Sequence, residues 1–163
     1  MTAWWLCAAG VRLRAQINLR WPNRDHSSDG AIGDTAHMSK FSGHNPATAD
    51  NWARQRCEFP PSDPPGAVRA IDIDEDFTCI DDERANKFLA QLIKLDDPRV
   101  AYAIFEGIKY VRTRHWIGEV YRGRNPHAHH IHISFTPAGD HDGTPFALPI
   151  LEVPTCSAST TSP

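Results

Sequence analysis

Asn125-Pro-His-Ala-His-His-Ile-His-Ile-Ser-Phe135 is the stretch on which the reading of the chain turns. Four of the nine histidines fall inside it, and its second half alternates, with His130 and His132 in one phase and Ile131, Ile133 and Phe135 in the other. A period of two is the signature of a strand, with both imidazoles on one face and the apolar side chains on the opposite one. The apolar face anchors the strand in a core. The two imidazoles then form a rigid platform for a metal ion or for proton transfer. A single histidine in a polar stretch would be an ordinary solvated residue, but a pair on an apolar-backed strand points to a site.

Further strands and helices follow by the same reasoning. Ala67 to Asp74 alternates, with Val68, Ala70, Asp72 and Asp74 on one face and Arg69, Ile71 and Ile73 on the other. A carboxylate flanked by isoleucines in mid-strand is costly to bury alone, so a cation is the economical partner for Asp72, with Asp74 as the reserve ligand. Val100–Phe105 and Ile108–Arg112 read as a hairpin turning at Glu106-Gly107. Residues 82–95 carry Ala85, Phe88, Leu89, Leu92 and Ile93 at helical spacing, with Asp81 or Asp82 to cap the helix and Asp96-Asp97-Pro98 to stop it. Leu6, Ala9, Leu13 and Ile17 predict a second helix over 4–19, ended by Trp21-Pro22. The implied fold class is α+β: a small antiparallel β-sheet from 68–74, 100–105, 108–112 and 130–136, with helices packed on one face. The long loop-rich segment 23–66, with at most a helical turn at 49–55, would cover the site on the other.

At 163 residues the chain suits one domain, read as 1–150, with a Ser/Thr/Pro-rich linker or tail over 151–163 that leaves room for a further domain downstream. The net charge of −3, without a Lys/Arg run, argues against a nucleic-acid binder. No apolar run approaches the length that spans a bilayer, so no membrane partner is expected, and a monomer is. Met1 to Gly10 lacks the basic start of a secretory signal. Cys7, Cys57, Cys79 and Cys156 form no CxxC and read as structural thiols.

One carboxylate and two imidazoles make a plausible set of zinc ligands, and three protein ligands with an open fourth position suit catalysis. Together, Ser42-Gly43-His44, Ala70-x-Asp72 and His130-x-His132 resemble the zinc peptidases of the LAS type. These include D-alanyl-D-alanine carboxypeptidases, L-alanyl-D-glutamate endopeptidases and phage endolysins. The chain is most similar to the peptidase domains of endolysins from phages of actinobacteria. Arg14–Asn18, Trp21-Pro22, Ser28-Asp29-Gly30, Ile32-Gly33-Asp34, Ser42–Pro46 and 125–134 carry that likeness.

The resemblance implies a Zn2+ held by His44, Asp72 and His132, with His130 assisting as base or transition-state stabiliser. Some members place an acidic base three residues before the last ligand. That position here is His129, so the general base stays open between His129 and His130. In the common form the motif histidine and aspartate sit a few residues apart in one run; here 45–69 intervenes, so Asp72 over Asp74 rests on the Ala70-x-Asp72 match. Ser42, Trp116 and Tyr121 are candidates for substrate contact, His37 for lining the site or bracing its loop, and His127 and His141 read as solvated. The implied activity is zinc-dependent hydrolysis of peptidoglycan stem or cross-bridge peptides, as endopeptidase or D,D-carboxypeptidase. The enzyme would be made in the host cytoplasm, reach the wall through a holin-made pore and act there. Two other readings compete. One is a non-catalytic, zinc-stabilised wall-binding module, which would close its metal with a fourth protein ligand. The other is a 2H phosphoesterase built on His132-Ile-Ser134 and His26-Ser-Ser28.

Overall fold

The computed structural model describes residues 3–33, 38–77 and 83–152. It has the α+β architecture expected: a five-stranded antiparallel sheet with two long helices on one face. In chain order the elements are β1 (Trp5–Leu6), α1 (Ala8–Arg20), α2 (Ala49–Ala53), β2 (Ala67–Val68), β3 (Ala70–Asp74), α3 (Glu83–Leu95), β4 (Val100–Phe105), β5 (Ile108–Val111), β6 (Gly118–Val120) and β7 (His130–Phe135). The main sheet runs β3-β7-β4-β5-β6, so the histidine strand is second from one edge, beside the aspartate strand. The proposed caps Asp81 and Asp82, His37, and Cys79 and Cys156 lie outside the described residues, as does the tail beyond Glu152. Among the described residues no helix is long and apolar enough to cross a membrane.

Two elements depart from the sequence expectation. Residues 5–6 are not the start of the first helix. They pair in parallel with 67–68 as a separate two-stranded ribbon, and the helix begins at Ala8. The strand expected over 67–74 is broken at Arg69. Its guanidinium makes a two-point ion pair with Asp140, at 2.7 and 2.6 Å, and reaches the Pro60 carbonyl at 2.9 Å. The sheet also gains β6, an exposed three-residue edge strand.

Cross-strand register sorts the side chains into two layers. Ile71, Ile133, Ala103 and Tyr110 form one row across β3, β7, β4 and β5, facing the helices. They join Leu13 and Ile17 of α1 and Phe88, Leu89 and Leu92 of α3 in one core cluster. The next row, Asp72, His132, Ile104, Lys109 and Glu119, points the other way. A bulge between Val100 and Tyr102 lets Val100 stay opposite Phe135 in the core while Tyr102 turns to the polar face opposite Ser134. The β4–β5 hairpin turns on Glu106 (φ 49°) and Gly107 (φ 75°), the left-handed pair that a two-residue hairpin requires.

The described parts of segment 23–66, residues 23–33 and 38–66, cover the polar face and are fixed to it by identifiable bonds. Gly30 pairs with Asp72 through two backbone hydrogen bonds of 3.1 and 2.9 Å, closing the β3 edge. Buried Asp74 accepts from Ser27 Oγ, Ser28 N–H and Asp76 N–H. Glu58 reaches across to Tyr102 Oη and to Ser134 Oγ, the latter at 2.6 Å. Gly43 lies flat on the sheet: a Cβ there would come within 3.1 Å of Ala70 Cβ and Ser134 Oγ and push the next residue, His44, off the face.

Candidate metal centre

The strand register carries two of the three candidate ligands. Asp72 and His132 are direct cross-strand partners on adjacent strands, so their side chains leave the sheet side by side. His44 arrives from the covering loop. Its backbone N–H donates to Ser42 Oγ at 3.2 Å, Gly33 N–H donates to its carbonyl at 3.1 Å, and its Nδ1 lies 2.6 Å from the Ala31 carbonyl. A backbone acceptor at Nδ1 holds a proton there, so Nε2 is the nitrogen that faces Asp72 and would offer its lone pair to a metal once its own proton leaves. Ser42 therefore serves the loop turn that presents His44.

The three side chains form a small triangle, with Asp72 turning one carboxylate oxygen to each imidazole. His44 Nε2 lies 3.1 Å from His132 Nδ1 and 3.2 Å from Asp72 Oδ2, and His132 Nδ1 lies 2.9 Å from Asp72 Oδ1. A tetrahedral ion with bonds of about 2.0–2.1 Å has ligand atoms about 3.3 Å apart, so the triangle has the size of one face of such a site. This His/Asp/His group could hold a metal ion. Electrostatics fit that role. Burial alone would raise the Asp72 carboxyl, but hydrogen bonds from His132 and His44 outweigh it and hold the group well below the usual carboxylate range. Burial disfavours the His44 cation, yet the hydrogen bond and charge of Asp72 prevail and raise its pKa.

Around the triangle the structure separates residues that the sequence left together. His130 turns toward the group, with a side chain 15% exposed and Nε2 3.9 Å from Asp72 Oδ1. His129, whose side chain is 84% exposed, turns away to Glu75 at 3.3 Å. Asp74 shares the face of Asp72 but is committed to the 25–29 loop and does not join the triangle. Trp116 stands apart as well: its indole N–H donates to Asp96 after α3, and its ring packs against the helix-side core. Tyr121 is at the site wall, edge-on to His127 at 5.3 Å. His141 stacks on Trp5, with Nε2 bonded to the Asp63 carbonyl. His26 is engaged with Asp29 in the exposed loop and is no part of the triangle.

His127 is the residue that sequence reasoning misplaced. It is buried rather than solvated, with its ring 5.0 Å from that of His130 and 5.3 Å from that of His132. Burial and the neighbouring His132 and His130 push its pKa down to about 4, so it is a neutral imidazole at pH 7. It is held by long-range backbone contacts. Glu106 N–H and Gly107 N–H of the hairpin turn donate to the carbonyls of His127 and Pro126, at 3.0 and 2.7 Å. Asn125 Oδ1 accepts from His127 N–H, which supports its left-handed φ of 56°. Asn125-Pro126, a turn signal just ahead of the strand, is the one local hint of this inward turn. Tyr102 completes the floor, its ring stacked on His132 at 5.5 Å and 24°.

No family model matches the chain, and neither a curated protein nor a solved structure matches it.

Proposed function

We propose that this chain is a zinc-dependent peptidase acting on peptidoglycan peptides, the catalytic domain of a phage endolysin. The observation that carries the reading is the placement of His130: a half-buried imidazole beside a three-ligand triangle, but outside it. Two nitrogens and a carboxylate oxygen, the last on a side chain 20% exposed, suit zinc with a fourth position for chemistry. Zinc bound there supplies Lewis-acid chemistry, lowering the pKa of water toward about 7 and polarising an amide carbonyl.

The chain's own groups supply the rest. Burial lowers the His130 pKa, with Asp72 opposing, so the ring is an uncharged imidazole at neutral pH, suited to take a proton and return it to the leaving amine. His129, exposed and turned toward Glu75, is too poorly placed for that task. His127 and Tyr121 wall the side next to His130 and orient the peptide. The resemblance in the Ser42–His44, Ala70–Asp72 and His130–His132 motifs supports the wall-peptide substrate. A zinc-stabilised binding module would need a fourth protein ligand; the described residues offer three, and His37, the candidate for a fourth, lies outside them.

The test is incubation of the purified protein with peptidoglycan, with and without chelator and zinc repletion, followed by mass spectrometry of the released fragments. New peptide termini that vanish with chelator and return with zinc are expected. Stoichiometric zinc without cleavage of any wall type overturns the peptidase and leaves the binding module.

A further inference from the structure

The row of side chains that carries Asp72 and His132 does not stop at the metal group. It continues through Ile104 to Lys109 on β5 and Glu119 on β6. Adjacent strands lie about 4.8 Å apart, so Lys109 projects from the same face about 10 Å along the sheet from the histidine strand. Its Nζ sits 3.7 Å from the centroid of the Tyr102 ring, and the same ring stacks on His132. One aromatic ring therefore separates a metal ligand from an ammonium group.

That ammonium lacks a matched anion. Among the described residues Lys109 makes no ion pair, and the two carboxylates that act on it from a distance are engaged elsewhere. Glu58 accepts from Tyr102 and Ser134, and Glu119 pairs with Arg114 at 2.6 Å. An ordinary surface lysine keeps its head in bulk water. This one is half-buried over the ring, where desolvation works against its charge and Arg114 adds to the strain. A cation–π contact with tyrosine offsets part of this cost, about 0.5–1 kcal/mol at exposed sites.

We propose that Lys109 forms a subsite for a free carboxylate of the substrate peptide, about two strand spacings from the metal triangle on the β5 side. This rests on the peptidase reading for the identity of the ligand as a wall peptide. A backbone extending across the sheet from the triangle rises about 3.3 Å per residue, so the carboxylate lies on an acidic residue, or at a free C-terminus, two to three residues from the scissile bond. Lys109 is a specificity residue: it selects carboxylate over carboxamide without touching the reacting atoms.

The test uses zinc-loaded full chain and synthetic stem peptides with free carboxylates, set against counterparts amidated at the glutamyl residue or at the C-terminus. Binding is read by calorimetry, cleavage separately, and bound zinc by stoichiometry. The wild type is expected to prefer one acid form over its amide by about tenfold, the scale of a charge-assisted hydrogen bond. Lys109→Met is expected to abolish that preference with zinc content unchanged, and Lys109→Arg to keep it. Acid and amide forms binding the wild type equally, or a Lys109→Met variant that still prefers the acid, overturns the subsite. Acid-selective binding without cleavage supports the subsite while refuting the peptidase.

Discussion

Asp72 and Asp74 share a strand face, yet the structure assigns them different work, and paired substitutions separate the two. Asp72→Asn removes one of three metal ligands. Losing a second-shell partner already weakens metal sites by about 10- to 100-fold, so a ligand loss is expected to weaken zinc by at least about 100-fold. With zinc at about a thousand times the wild-type Kd, the metal stabilises the wild type by about 4 kcal/mol and the Asp72→Asn variant by about 1.4 kcal/mol. In a chain of 163 residues each kcal/mol moves Tm by about 3 °C. Zinc should therefore raise Tm by about 12 °C in the wild type and about 4 °C in Asp72→Asn. Asp74→Ala behaves oppositely. It strips acceptors from Ser28 N–H, Asp76 N–H and Ser27 Oγ in a buried setting. Unpaired buried donors cost about 1–3 kcal/mol each, about 3–9 kcal/mol for the three, so the metal-free Tm should fall by about 9–27 °C while the zinc increment stays near 12 °C. Thermal melts with and without zinc, run beside a zinc titration, read both quantities. A full zinc increment in Asp72→Asn, or its collapse in Asp74→Ala, would refute the ligand assignment.

Other outcomes follow from the same geometry. His130→Ala should lower cleavage by about 10²- to 10⁴-fold with zinc retained, while His129→Ala leaves the rate near wild type; wall-fragment release beside metal content checks both. His127 has a folded-state pKa near 4, below the ordinary histidine value of 6.5. Its contribution to the metal-free protein is thus complete above pH 6.5 and lost as pH falls toward 4, and His127→Gln should flatten that part of a denaturant-derived stability profile. His44 is shifted the other way, so zinc must displace a proton bound above pH 6.5. Zinc affinity should therefore still rise with pH beyond that point, with proton release measurable by calorimetry in two buffers. Arg69→Met strands the Asp140 carboxylate in a buried position and should cost about 3–5 kcal/mol in equilibrium unfolding.

The layered sheet was legible because its signals are local. Period-two alternation at 70–74 and 130–135 placed Asp72 and His132 on the polar face, and the 3.6-residue pattern of Phe88, Leu89 and Leu92 placed α3 on the other. The elements that escaped have signals too short or too distant to read. Trp5-Leu6 is two apolar residues ahead of a helical pattern, and it becomes a strand because residues 67–68, 62 positions on, offer a partner. Gly118–Val120 is an exposed edge held by backbone pairing alone. The inward turn of His127 depends on a hairpin tip twenty residues earlier, and the choice of His130 over His129 on which phase of the strand faces the triangle. Trp116, a candidate for substrate contact, has a left-handed backbone at φ 58° that carries its ring back to Asp96.

The loop that delivers His44 has a consequence for how the chain resists unfolding. His44 and His132 stand 88 residues apart in sequence, and Asp72 and His132 stand 60 apart. An ion bridging them is a removable cross-link that closes two large loops. A covalent tie across a loop of that size restricts the unfolded ensemble by about 4 kcal/mol, comparable with the zinc increment above. The three anchors belong to the covering segment and to two strands of the sheet, so no fragment of the chain can complete the cross-link early. The ion locks the finished topology, and a protease finding the 23–66 segment before the ion is bound meets a chain that has not yet been tied.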